Sequence, residues 1–247
     1  MSTTIAAHAK LTLTLRITGV RADGYHLIDA EMVSLDLADR LTIDTAWRED
    51  DGSELTASGP FSDGVPLDHT NLVAKALRLC NRDACVHIEK NIPHGGGLGG
   101  GSADAAAVLR WAGFTDSIDA ATLGADVPFC LVGGRARVQG VGELVTPLTF
   151  VAREFTLIIP PLRCPTPLVY RAWDDLGGPR SDGPNDLEPA AVHVQPRLIW
   201  WRDRIAETAG ALPHLAGSGS TWFVEGHRAE LIEALPDARV VLAATVD

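Results

Sequence analysis

The stretch Asn91-Ile92-Pro93-His94-Gly95-Gly96-Gly97-Leu98-Gly99-Gly100-Gly101-Ser102-Ala103-Asp104 places six glycines in seven consecutive positions. A short alternating run, Cys85 to Glu89, precedes it, and an alanine-rich run, Ala103 to Trp111, follows. The order is therefore strand, glycine loop, helix. Glycine loses more freedom on ordering than any other residue, so six of them need a reason. Without Cβ atoms, backbone N–H groups can turn toward a ligand that approaches closely. The helix N-terminus adds partial positive charge, and together these make a phosphate cradle. Ser102 can cap the helix or offer a hydroxyl to phosphate or metal. A P-loop would end in Gly-Lys-Ser/Thr, and no lysine stands here. Gly97-Leu98-Gly99-Gly100-Gly101-Ser102 also misses the GxGxxG pattern of dinucleotide folds, because Ser fills the last position.

The rest of the composition narrows the setting. The 247 residues suffice for one large domain or two modest ones. The net charge of −11 argues against a broad nucleic-acid surface, which needs a basic face. A focused phosphate site remains compatible with it. The four cysteines, Cys80, Cys85, Cys130 and Cys164, form no CxxC pair, which speaks against zinc. A reduced, cytoplasmic setting is expected. No apolar run has membrane-spanning length, and residues 1–19 lack the basic start and apolar run of a signal peptide.

Working outward from the loop, residues 10–18 alternate, with Leu11, Leu13, Leu15 and Ile17 on one face and Lys10, Thr12, Thr14 and Arg16 on the other. Met32 to Leu37 and Arg40 to Thr45 read as two further strands split at Ala38-Asp39. Residues 49–70 read as loops around a short strand. Asn71 to Leu79 reads as a helix with Asn71 at its start. Val138 and Val141 flank Gly140 as a strand broken by a turn. The pattern restarts near 150: a strand at Phe155 to Ile159, helices at about 167–174, 185–193 and 196–209, a strand at Ser220 to Val224, a helix at His227 to Ala234 and a strand at Val240 to Val246. The expected division is 1–150 and 151–247, in an α+β fold. A second glycine loop, Gly217-Ser218-Gly219-Ser220, reads either as a tight turn or as a partner of the first loop over one ligand.

Phosphoryl transfer needs neutralised charge and often a carboxylate near the attacking hydroxyl. Local sequence alone makes Lys10 a solvent-exposed strand residue and Asp126 a helix cap. Resemblance reverses both readings. The glycine loop resembles the second motif of the GHMP kinases, the superfamily of galactokinase, homoserine kinase and mevalonate kinase. Ala9-Lys10-Leu11 resembles their first motif. Arg21-Ala22-Asp23-Gly24-Tyr25-His26-Leu27, Gly124-Ala125-Asp126-Val127-Pro128-Phe129, Pro165-Thr166-Pro167-Leu168-Val169-Tyr170, Asn185-Asp186-Leu187-Glu188 and Gly217-Ser218-Gly219-Ser220-Thr221 resemble, in order, segments of one family within it. That family phosphorylates a cytidylyl-linked methylerythritol in non-mevalonate isoprenoid synthesis.

The resemblance implies a two-domain fold, with an N-terminal part like domain 2 of ribosomal protein S5 and a ferredoxin-like C-terminal part. It implies an ATP- and Mg²⁺-dependent kinase, monomeric or homodimeric, acting on a small cytidylyl substrate, with Lys10 and Asp126 as the catalytic pair. Pro93, Gly95, Gly96, Gly97, Leu98, Gly99, Gly100, Gly101, Ser102 and Asp104 would hold the ATP phosphates, with Asn71 near the adenine. Thr12, Tyr25, His26, Thr166, Tyr170, Gly217, Ser218 and Gly219 would line the substrate pocket, with Tyr25 and His26 on the cytidine. Three positions depart from the family: His8 stands where its first motif has Pro, Thr12 where it has Asn, and Ala103 where the loop has a second Ser. The chain also looks shortened between Arg110 and Leu123 and before Ala216. These departures keep open a nucleotide-binding paralogue without turnover, beside a kinase for another small alcohol.

Overall fold

The computed structural model describes residues 2–46 and 55–247. The first two strands, β1 (Ser2–Val20) and β2 (His26–Asp44), form a long antiparallel pair. Its register shifts between His8 and Lys10 and again between Thr12 and Thr14. Such irregularities re-aim side chains. Leu11, Leu13, Leu15 and Ile17 enter the core as the alternation predicts, but Lys10 and Thr12 on the opposite face are buried too.

The expected break at Ala38-Asp39 does not occur. Asp39 is fully buried, and its Oδ1 accepts from the N–H groups of Asn91 (2.5 Å) and Ile92 (2.8 Å). With that carboxylate satisfied, β2 runs on to pair with β4 (Cys85–Glu89), from Arg40 opposite Glu89 to Asp44 opposite Cys85. The short β3 (Leu55–Ser58) lies parallel to β4. The part of the expected loop at 49–54 lies outside the described residues.

Helix α1 (Leu72–Leu79) and helix α2 (Gly100–Trp111) follow, with α2 starting three residues before the alanine run suggested. Gly99 ends the loop in the left-handed region (φ 70°), so the two following glycines already turn as helix. Ala103 through Leu109 are all buried, small side chains that let α2 sit inside the molecule. Two short helices follow: α3 (Ser117–Ala121), which the sequence reading did not assign, capped by Asp116 onto the N–H groups of Ile118 and Asp119, and α4 (Val127–Val132), which begins after Asp126. Strands β5 (Arg135–Gly140) and β6 (Leu144–Pro147) extend the sheet beside β2.

The remaining elements are β7 (Glu154–Ile159), α5 (Thr166–Asp175), α6 (Glu188–Val194), α7 (Arg197–Ala209), β8 (His214–Leu215), β9 (Trp222–Glu225), α8 (Glu230–Ala234) and β10 (Arg239–Val246). β7 lies between β9 and β10, all antiparallel. The end of β10 reaches β2 at Thr245–Leu35 and Val246–Ser34, so the later strands continue into the earlier ones. α6 starts at Glu188 rather than 185, because Asn185 and Asp186 use their side chains on other backbone segments. No helix among the described residues is long and apolar enough to cross a membrane. The α+β class expected from sequence is the one observed.

Candidate active site

Lys10 is tied to the glycine loop through its backbone, where its N–H donates to Leu98 O at 3.0 Å. Lys10 is 5% exposed; its ammonium donates to Thr12 Oγ1 at 3.0 Å and lies 3.4 Å from Asp126 Oδ2. A buried ammonium needs such partners, because an unpaired buried charge is costly. Asp126 occupies the N-cap position of α4 but makes no capping bond. Its side chain, 34% exposed, instead faces Lys10 on one side and open space on the other. Neighbouring Cys130 offers no nucleophile: burial, with the Asp126 charge second, pushes its thiol up to about 12.

The two glycine loops pack backbone on backbone. A methyl group on Gly97 would lie 2.5 Å from Ala216 O, and one on Gly219 would lie 2.5 Å from Gly96 O and Gly97 N. A methyl on Gly99 would meet Lys10 Cγ at 2.7 Å. These glycines are thus required by protein packing, while Gly95 faces open space. Among the described residues, no amide from Gly95 to Gly99 donates to another protein group. Five successive N–H groups before α2 are thus left without a protein partner, and unpaired amides at a helix N-terminus suit an anion. Ser102 Oγ lies beside Gly124, next to the Asp126 segment.

Asn185 and Asp186, assigned no role from sequence, hold this arrangement together. Asn185 Nδ2 donates to Leu215 O (3.0 Å) and Gly217 O (2.7 Å). Asp186 accepts from Arg16 (2.7 Å) and from the N–H of Ile17 (3.0 Å), fixing the second loop against β1. Gly217 consequently faces Lys10 Nζ and Thr12 Oγ1. Ser218 reaches Thr166 across 2.8 Å, at the start of α5.

Two expected ligand residues are engaged elsewhere. Asp104 points beneath the loop, where its Oδ2 accepts from Lys90 Nζ at 2.5 Å, and Lys90 also pairs with Asp39. Burial works against charge on Lys90, yet the two carboxylates outweigh it and raise its pKa. Burial pushes Asp104 up to about 7. The departure at Ala103 is likewise buried, at 1% exposure. Asn71 caps α1, accepting from Val73 N–H at 2.8 Å and donating to Pro66 O. Leu72, its neighbour, borders Gly101, so the cap stands beside the loop.

Tyr25 and His26 separate. Tyr25 is 62% exposed, with the guanidinium of Arg21, paired to Asp23, 5.5 Å from its ring centre. The His26 side chain is 9% exposed and packs on Tyr170 (4.8 Å) and the edge of Trp173 (5.4 Å). Its Nε2 bonds Asp174 Oδ1 at 2.8 Å. Burial, with the Asp126 charge second, raises the Tyr170 phenol well above its ordinary range. Tyr170 thereby links this ring cluster to the carboxylate. Trp173 and Asp174 were missed from sequence. Their signal was the helical spacing Thr166, Tyr170, Trp173, Asp174 on one face of α5.

Residues 71–134 match the GHMP kinases N terminal domain. The chain is 38% identical over 242 residues to the 4-diphosphocytidyl-2-C-methyl-D-erythritol kinase of Paracoccus denitrificans, covering 88% of this chain and 85% of that one. The chain belongs to the 4-diphosphocytidyl-2-C-methyl-D-erythritol kinase family. A crystal structure titled 4-(cytidine 5'-diphospho)-2C-methyl-D-erythritol kinase superposes with a TM-score of 0.78 at 31% identity, over 99% of this chain and 100% of the other. Homoserine kinase from Cytophaga hutchinsonii shares the fold alone, with a TM-score of 0.60 at 16% identity and coverage of 97% and 94%. As in its family, the chain is an ATP-dependent small-molecule kinase by descent, and its Lys10–Asp126 pair lies where the two glycine loops meet.

Proposed function

We propose that this chain transfers the γ-phosphoryl group of ATP to the 2-hydroxyl of 4-diphosphocytidyl-2-C-methyl-D-erythritol. The observation that carries the reading is the Lys10–Asp126 pair beside a loop of free amides. The unpartnered N–H groups from Gly95 to Gly99 hold the ATP phosphates and orient the γ-phosphoryl toward Asp126. Asp126 accepts the proton of the substrate 2-hydroxyl as the substrate oxygen bonds to the γ-phosphorus and the bond from that phosphorus to the β–γ bridging oxygen breaks. Lys10, held by Thr12 and Asp126, neutralises charge on the transferring group. ADP leaves with the bridging oxygen, and Asp126 returns its proton to water. Tyr25 and the His26 cluster hold the cytidine end.

No group of three or more His, Cys, Asp or Glu side chains among the described residues forms a metal cage. Mg²⁺ keeps waters and binds largely through substrate phosphates, with one or two protein oxygens. Ser102, whose Oγ lies beside Gly124, would supply the protein oxygen of that shell. When bound, the ion neutralises phosphate charge.

A substrate screen tests the reading. ADP formation should be far faster with the cytidylyl compound than with mevalonate or homoserine. A preference for either of those alcohols would assign the shared fold to another substrate.

A further inference from the structure

One ring nitrogen of His26 is already committed. Nε2 lies 2.8 Å from Asp174 Oδ1, and a carboxylate only accepts hydrogen bonds, so Nε2 carries the proton. The imidazole is fixed on its other sides by Tyr170 and Trp173. Asp174 itself is half-exposed, at 48%, at the last residues of α5, and is the partner that selects the tautomer.

We infer that Asp174 is a specificity-determining positioning residue: it holds His26 as the Nε2–H tautomer, leaving Nδ1 as an acceptor that favours a cytosine edge over a uracil edge. This rests on the proposed cytidylyl substrate. Cytosine presents an N4 amine, a donor, where uracil presents the O4 acceptor. An Nδ1 lone pair matches the amine and repels the carbonyl. Moving the proton to Nδ1 reverses the match. Trp173 packs edge-on against His26 and keeps the ring from rotating to exchange its two nitrogens.

The test pairs kinetics with a spectroscopic reading. Wild type, Asp174→Asn and Asp174→Glu are assayed with the cytidylyl substrate and its uridylyl analogue, and His26 is observed by ¹⁵N NMR in the ligand-free protein. Asn can donate to Nε2 and release the tautomer. Asp174→Asn should therefore lower the cytidylyl-over-uridylyl ratio of kcat/KM by about tenfold, chiefly through KM, the scale of one base-edge hydrogen bond. Asp174→Glu should restore part of the ratio. The His26 ¹⁵N shifts should report Nε2–H in wild type and a mixed or Nδ1–H state in Asp174→Asn. Variants as selective as an active wild type, or an Nδ1–H tautomer in wild type, would overturn the role of Asp174 alone. A folded wild type that makes no ADP with the cytidylyl compound would overturn the substrate reading, and this inference with it.

Discussion

Lys10 Nζ lies 3.4 Å from Asp126 Oδ2, while it donates a shorter hydrogen bond to Thr12 Oγ1 at 3.0 Å. The ammonium is thus aimed by the hydroxyl and shared with the carboxylate. Thr12→Val removes the acceptor at nearly constant shape. It should lower kcat/KM about tenfold, the scale of one lost bond to a charged group. Thr12→Asn restores the family residue and keeps an acceptor, so its kcat/KM should stay within a few-fold of wild type. Steady-state kinetics on the two variants checks both expectations.

The close approach of the glycine loops makes a second prediction. Gly219→Ala puts a methyl against backbone atoms of Gly96 and Gly97 at 2.5 Å, where nothing flexible can yield. It should cost about 2 kcal/mol or more, in the range of overpacking. Gly95→Ala meets open space and suffers only from its positive φ of 71°. Its cost should be about 1 kcal/mol. Chemical denaturation of both variants ranks them.

The buried Asp39–Lys90–Asp104 cluster predicts a pH dependence. Burial raises Asp104 to about 7 in the folded chain, above its ordinary unfolded value near 3.8. Between those two values the folded chain holds one more proton than the unfolded one. This group's contribution to stability therefore falls as pH rises through that window and levels off above about 7. Lys90, also raised, changes only far above it. In thermal melts from pH 4.5 to 8, the Tm of wild type minus that of Asp104→Asn should decline with pH. A difference that stays flat or grows contradicts the burial effect.

Much of this was legible in the sequence because it was written locally. The strand–loop–helix order around Gly95–Gly101 needs only alternation, glycine and alanine, and the motif order located Lys10 and Asp126. What sequence concealed was tertiary compensation. Asp39 looked like a strand breaker because its partners, the amides of Asn91 and Ile92, lie fifty residues away. Asp104 looked like a phosphate ligand because nothing local reveals Lys90 beneath it. Trp173 and Asp174 were readable only as one helical face, since His26, the residue they serve, lies far away in sequence at the start of β2.

The central claim is that Asp126 takes the substrate proton while the glycine loop holds ATP independently of it. Single-turnover transfer of the labelled γ-phosphoryl group to the cytidylyl substrate, run for wild type and Asp126→Asn beside calorimetric ATP binding, tests it most directly. The transfer rate should fall by about 10²–10⁴-fold in Asp126→Asn, with ATP affinity changed only a few-fold. Transfer at the wild-type rate in Asp126→Asn would contradict the account.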